Sequence, residues 1–223
     1  MVELIIVGER PTEERFVTDV LKDILALNGI YATPRLIKTS PQGKGGGLNL
    51  DRVRRFVVHT LRERTNTFVT TLFDLYGLDP SFRGVEDTKN RTPSERAQAI
   101  EAALHADIVE SAQCRPERFL PHIQPHEFEA LLFSDVHRLC EIEPTWAASA
   151  PQLAEIRNAK PDPEWINDSR HTAPSKRLEI LNPNYRKTMH GPRSAKHIGL
   201  DRIRQECPHF GRWFERLLAL KPL

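Results

Sequence analysis

Cysteine is scarce in this chain: three among 223 residues, Cys114, Cys140 and Cys207, with no Cys-x-x-Cys spacing. That argues against a disulfide framework or a cysteine zinc site, and makes a reducing cytoplasm the expected compartment. Long hydrophobic runs are also missing. None approaches the ~20 residues that a bilayer-spanning helix needs. Met1-Val2-Glu3-Leu4 lacks the basic start and apolar stretch of a signal peptide, so no membrane association is expected. No Walker A sequence occurs, because glycine follows Lys44 in Gly43-Lys44-Gly45-Gly46-Gly47; a flexible loop is expected there. No Gly-x-Ser-x-Gly nucleophile elbow is present either. His122 and His126 lie four apart, but Pro125 intervenes and Ala130 stands where a His-Glu-x-x-His motif would need its second histidine.

What is present is the composition of a globular protein, with 39% hydrophobic and 28% charged residues, long enough to bury a sizeable core. The net charge of +2 conceals an asymmetry. Residues 1–169 carry 20 Lys and Arg against 26 Asp and Glu, while residues 170–223 carry 12 against 4. An acidic body with a basic tail suits a protein that holds metal ions in one part and meets phosphates with another.

Val2-Glu3-Leu4-Ile5-Ile6-Val7-Gly8 is short, apolar and β-branched, and reads as a buried strand. Thr12 is placed to cap a helix whose apolar positions run from Phe16 to Leu25 and which Asn28-Gly29 stops. A second strand is expected over 31–39, a basic amphipathic helix over 51–64, and the clearest strand over 67–73 with Asp74 at its end. A capped helix follows over 92–105, then a strand over 119–124 and a helix start at 126–133. The pattern predicts an α/β fold, a parallel sheet flanked by helices over 1–142. A proline-rich connector and a mainly helical, irregular, basic C-terminal extension occupy 143–223. Trp213 at helical spacing beside Phe210, Phe214 and Leu217 reads as core, and Trp165 is the freest tryptophan for stacking on a base.

Three strand ends carry acids: Glu9 after the first strand, Asp74 after the clearest one, and Glu127 with Glu129 after the strand at 119–124. Ligands of an open parallel sheet bind at the carboxyl ends of its strands, so these acids can converge. Glu13, four residues after Glu9, can join them. Hard divalent cations such as Mg²⁺ or Mn²⁺ take such oxygen ligands and retain water, and can polarise a phosphodiester. Each acid singly has a plainer reading, as a first-turn residue of a helix, a turn former, a cap or a solvated side chain.

Glu9-Arg10-Pro11-Thr12-Glu13 after an apolar strand resembles the E-G-x-T-E opening of Toprim domains of the OLD-nuclease kind. The string 71–78, the string 123–133, and the late segments Ile166-Asn167-Asp168, Thr172–Leu178, His197–Leu200 and Cys207–Phe210 resemble the DUF4276 family, regarded as Toprim-like. The resemblance spans nearly the whole chain. It implies a Toprim-like fold and a metal-dependent nucleic-acid phosphodiester hydrolase, a nuclease. Glu9 is then the leading metal ligand and general acid/base, Glu13 a second ligand, and Asp74 the first aspartate of a D-x-D pair. Arg10 replaces the usual glycine and Tyr76 the second aspartate, so Glu127 or Glu129 is left to supply the missing oxygen.

Phosphate chemistry also needs cations facing the metal. Lys176 and Arg177 are the first candidates, with Lys176 in the catalytic set; Arg10, Arg186, Lys187 and Lys196 complete the phosphate- or nucleic-acid-binding residues. With few aromatics between them, they suit backbone contact rather than base reading. OLD-type Toprim proteins work with an ABC-type ATPase. Without a Walker A sequence here, that partner would be a separate chain, in a defence or DNA-maintenance pair. DNA and RNA are both open as substrates, as is a homo-oligomer. Two rival readings stand beside the nuclease: a non-catalytic, Toprim-shaped regulatory or nucleic-acid-binding subunit, and a small-molecule phosphoryl enzyme.

Overall fold

The computed structural model describes residues 1–37, 48–167, 169 and 171–223. The glycine-rich segment 43–47 and Asp168 lie outside the described residues. Strand β1 (Val2–Gly8) leads into α1 (Pro11–Phe16), which continues through a π turn (Val17–Leu21) into α2 (Lys22–Leu27). Gly29, at φ +73°, ends this long helix and donates its N–H to the Ala26 carbonyl at 2.9 Å. The cap differs from expectation. Arg10, in extended conformation, precedes Pro11, which takes the first helical position, so Thr12 already lies inside the first turn.

After β2 (Ile30–Leu36) come α3 (Leu50–Glu63), β3 (Thr67–Asp74) and α4 (Pro93–Ala112). Helix α4 runs beyond the expected end near 105, because Ala97, Ile100, Leu104, Ile108 and Ala112 keep one face buried. The expected strand over 119–124 forms as two pieces, β4 (Phe119–Leu120) and β5 (Ile123–Gln124), both pairing with β3. Pro121 has no N–H for the ladder, and at the break the Thr71 hydroxyl lies 2.9 Å from both the His122 N–H and its carbonyl. The helix expected from 126 is a buried 3₁₀ segment, Phe128–Ser134. Then come α5 (Val136–Cys140), α6 (Ala150–Asn158), α7 (Pro174–Leu181), α8 (Lys187–Ile198), α9 (Leu200–Glu206) and α10 (Pro208–Leu218). None of the described helices is long and apolar enough to cross a membrane.

All pairings of the five-stranded sheet are parallel, in the order β2-β1-β3-β4, with β5 also on β3. Alternate residues of the central strands feed two apolar layers, as the strand period of two requires. Ile5, Val7, Val69 and Phe73 pack with α3 and α4. Leu4, Ile6, Phe68 and Leu72 face the other way, toward Phe16, Leu21 and Leu25 of the first helix. The same second layer holds Trp146, Leu178, Ile198, Phe210, Trp213 and Phe214, so the C-terminal helices cover that face of the sheet. Trp213 is buried there and donates its indole N–H to the Thr70 hydroxyl at 2.9 Å.

Candidate functional site

Strands β2 and β3 lie on opposite sides of β1, so the chain reverses its direction of winding between β1 and β3. The crevice outside the carboxyl ends of such a strand pair is where open α/β sheets hold ligands. Glu9 directly follows β1 and Asp74 is the last residue of β3. Both reach one guanidinium: Arg10 Nη1 lies 3.2 Å from Asp74 Oδ2, and its Nη2 lies 3.8 Å from Glu9 Oε2. The Arg10 backbone N–H donates to Glu13 Oε2 at 2.5 Å, which folds the Glu13 carboxylate back toward the strand end. Gly77 makes room for this arrangement, since a Cβ there would stand 2.7 Å from Glu9 Oε2.

The segment after β5 closes the site from the far side. His126 adopts φ +62°, uncommon for a residue with a Cβ, and its ring lies 5.5 Å from that of Tyr76. The Phe128 N–H donates to Asp74 Oδ1 at 2.8 Å, tying this segment to the end of β3. Glu127 and Glu129 on either side meet Lys187, at the start of α8, at 3.1 and 3.6 Å. Glu127 also accepts the Ser175 N–H at 2.6 Å, satisfying a free donor of the first turn of α7. The Tyr185 hydroxyl donates to Glu129 Oε1 at 3.4 Å.

Glu13, Asp74, Glu127 and Glu129 are all buried. Five carboxylates share two cations, which would leave three negative charges if every acid were ionised. The titration of the acids reflects that imbalance. Burial pushes Glu13 up to about 9, Asp74 adding to the effect by repulsion and Arg10 opposing it. Burial likewise pushes Glu129 up to about 8 against the pull of Lys187, and Asp74 to about 6 against Arg10. Glu9 is raised by burial, with Arg10 again opposing. Burial alone would lower Lys187, but Glu129 and Glu127 outweigh it and hold its ammonium charged.

The folded chain therefore holds protons that the unfolded chain releases near the ordinary carboxylate values. These groups favour folding most below about pH 4.5. The contribution is lost as pH rises through about 6 to 9, where Asp74, Glu129 and Glu13 ionise. The melting temperature should fall from pH 5 to pH 9 by at least about 4 °C, the equivalent of 1–2 kcal/mol for a chain of this size. A flat or rising profile in thermal scans would show that the acids are already neutralised.

Of the residues expected from sequence, Glu9, Glu13, Asp74, Glu127, Glu129, Arg10 and Lys187 come together. Lys176 does not: its exposed ammonium pairs with Glu179 at 2.5 Å, one turn along α7, and it is not paired with any of the five acids. The place expected for Lys176 is taken by Lys187, because α7 turns Ser175 rather than Lys176 toward Glu127. Arg177 is half-buried and donates to the Thr172 carbonyl at 2.7 Å. Arg186 and Lys196 are exposed, and neither forms an ion pair with the cluster. Tyr185 was not foreseen; its only signal is its place two residues before Lys187.

The ligand set is looser than a closed metal cage. Among the described residues, Glu101, His122 and His209 bring one ligand atom each within 4.8 Å of one another. No three of the five carboxylates are grouped so closely. The donor chemistry, all carboxylate oxygen with excess negative charge, suits a hard divalent cation that keeps part of its water shell. Neither curated proteins nor solved structures give a match to this chain. The family described as "Domain of unknown function (DUF4276)" matches residues 8–218, and the chain belongs to that family.

Proposed function

We propose that the protein is a divalent-cation-dependent phosphodiester hydrolase of the Toprim type acting on nucleic acid, with its centre at the ends of β1 and β3. The observation that carries this reading is the convergence of Glu9 and Asp74 on Arg10, with Glu13, Glu127 and Glu129 alongside and more acid than base. Glu9, Asp74 and Glu13 would hold Mg²⁺ or Mn²⁺, partly through water. The bound ion would supply Lewis-acid polarisation of a phosphoryl oxygen and acidify a water. Arg10, exposed over two fifths of its side chain, is accessible to a phosphate oxygen. Lys187 keeps Glu127 and Glu129 in place and compensates their charge. Glu9, whose carboxyl is raised by partial burial, is placed at the strand end to exchange a proton with the attacking water or the leaving group.

Glu9→Gln and Asp74→Asn should each slow cleavage of plasmid or RNA in Mn²⁺ by about 10²–10³-fold while leaving the fold intact. Variants that cleave at the wild-type rate would remove the site assignment.

A second reading is supported by the Arg10–Asp74 pair itself, in which the protein supplies its own cation. In that case the chain is a Toprim-shaped regulatory or nucleic-acid-binding subunit, working beside a separate ATPase. Calorimetry in which neither Mg²⁺ nor Mn²⁺ binds, while nucleic acid does, would favour it.

A further inference from the structure

We propose that Glu101 of α4, His122 at the break between β4 and β5, and His209 at the start of α10 form a second metal site, for a zinc-class transition-metal ion with an open position for an anion. None of these residues belongs to the acidic cluster, and the site stands whether or not that cluster is catalytic.

The tautomer of His122 is set by its neighbours. Glu164, a buried carboxylate, accepts from the Gln124 side-chain amide nitrogen at 3.2 Å. That contact fixes the amide, so the Gln124 carbonyl oxygen faces His122 Nε2 at 3.2 Å. His122 Nε2 must therefore be the donor, and Nδ1 carries a lone pair. Nδ1 makes no hydrogen bond, although the side chain is 1% exposed. It lies 3.6 Å from Glu101 Oε1, an acceptor facing an acceptor. A buried lone pair aimed at a carboxylate is costly unless a cation lies between them.

The third group completes the set. His209 Nε2 lies 2.7 Å from the same Glu101 Oε1, and its Nδ1 lies 3.3 Å from the Ser94 hydroxyl. Zinc–ligand bonds of about 2.0–2.1 Å at tetrahedral angles separate ligand atoms by about 3.4 Å. The separations of 2.7 and 3.6 Å require shifts of well under 1 Å to reach that value. Each ligand also has an orienting partner, as metal ligands require: Gln124 for His122, Ser94 for His209, and the Ile123 N–H, at 2.8 Å, for Glu101. Imidazole nitrogen with one carboxylate suits zinc-class ions better than Mg²⁺.

Three protein ligands leave a coordination position open. A cavity of about 210 Å³ adjoins the triad, and Gln98, Arg212 and Arg216 also line it. Two arginines beside an open metal position select an oxyanion, a phosphate or carboxylate, over a neutral ligand.

The test uses the full chain, stripped with chelator and titrated with Zn²⁺ by calorimetry and with Co²⁺ by visible absorption. One ion per chain with the intense bands of a four- or five-coordinate Co²⁺ site is expected, apart from any weakly coloured octahedral Co²⁺ held by the acidic cluster. Glu101→Gln keeps the shape and the acceptor for Ile123 but removes the charge. It and His209→Ala should each weaken binding by more than about 100-fold, beyond what loss of an orienting group alone costs. Circular dichroism and melting show whether those variants are folded. Glu9→Gln should leave those intense Co²⁺ bands unchanged. No binding by the wild type, equal binding by folded Glu101→Gln and His209→Ala, or loss of binding in Glu9→Gln would each overturn the site. Inorganic phosphate should shift the Co²⁺ bands; an unchanged spectrum overturns the anionic ligand.

Discussion

A Lys187→Met chain should lose stability, and more at pH 8 than at pH 5 by roughly 1 kcal/mol, because removing the half-buried cation strands two buried acids. Lys187 serves two buried acids, Glu127 at 3.1 Å and Glu129 at 3.6 Å. Methionine fills a similar volume, so the loss is one of charge rather than packing. The sign follows from Glu129, whose carboxyl is already pushed up to about 8. Without Lys187 it moves higher still. At pH 5 it carries its own proton and needs no counter-charge. At pH 8 and above, the folded variant must retain a proton that the unfolded chain gives up, and stability falls with each further rise in pH. Urea unfolding at the two pH values measures the difference. Equal losses at both would mean that Lys187 contributes only by packing. If the cluster takes divalent cations, millimolar Mn²⁺ should recover part of the loss at pH 8 by binding the folded state alone.

Glu164→Ala should cost about 3 kcal/mol, since it leaves buried N–H groups without acceptors. Glu164 is 2% exposed and accepts from the backbone N–H groups of His209 and Phe210 at 2.7 and 3.0 Å, besides Gln124. These N–H groups are free donors of the first turn of α10, whose preceding residue, Cys207, provides no side-chain cap. A carboxylate from more than forty residues upstream thus serves as the cap and stabilises the helix dipole. A drop in melting temperature of about 6–12 °C is expected at this chain length. Glu164→Gln, which keeps an acceptor oxygen, should lose less than half of that. A cost below about 1 kcal/mol for the alanine variant would mean that water replaces the carboxylate. Since α10 carries Phe210, Trp213 and Phe214 into the core, its loosening should also expose Trp213 to quenchers.

Glu9, Asp74 and Glu13 were legible because each is tied to a local signal. Two end apolar strands, and the third follows at a helical interval. Lys187 and Lys176 show the limit. Both are basic residues of the C-terminal region near helix starts, and nothing local separates them. The choice rests on which face α7 and α8 present to the 127–129 segment, a matter of packing between elements about fifty residues apart. Glu101 and His209 were missed for the same reason: they stand 108 positions apart, and neither neighbourhood carries a metal-ligand spacing. His122 instead meets Glu101 and His209.

By itself, then, the chain's order of residues determined the strands, the helices that follow them and the acids at the strand ends. Those depend on apolar period, β-branching and chain stops that act over a few residues. The tertiary structure alone decided the counter-charges of those acids, the remote cap of α10 and the juxtaposition of His122, Glu101 and His209. Electrostatic and hydrogen-bond partners are selected by distance in space, and the parallel sheet brings its strand ends together from positions widely separated along the chain.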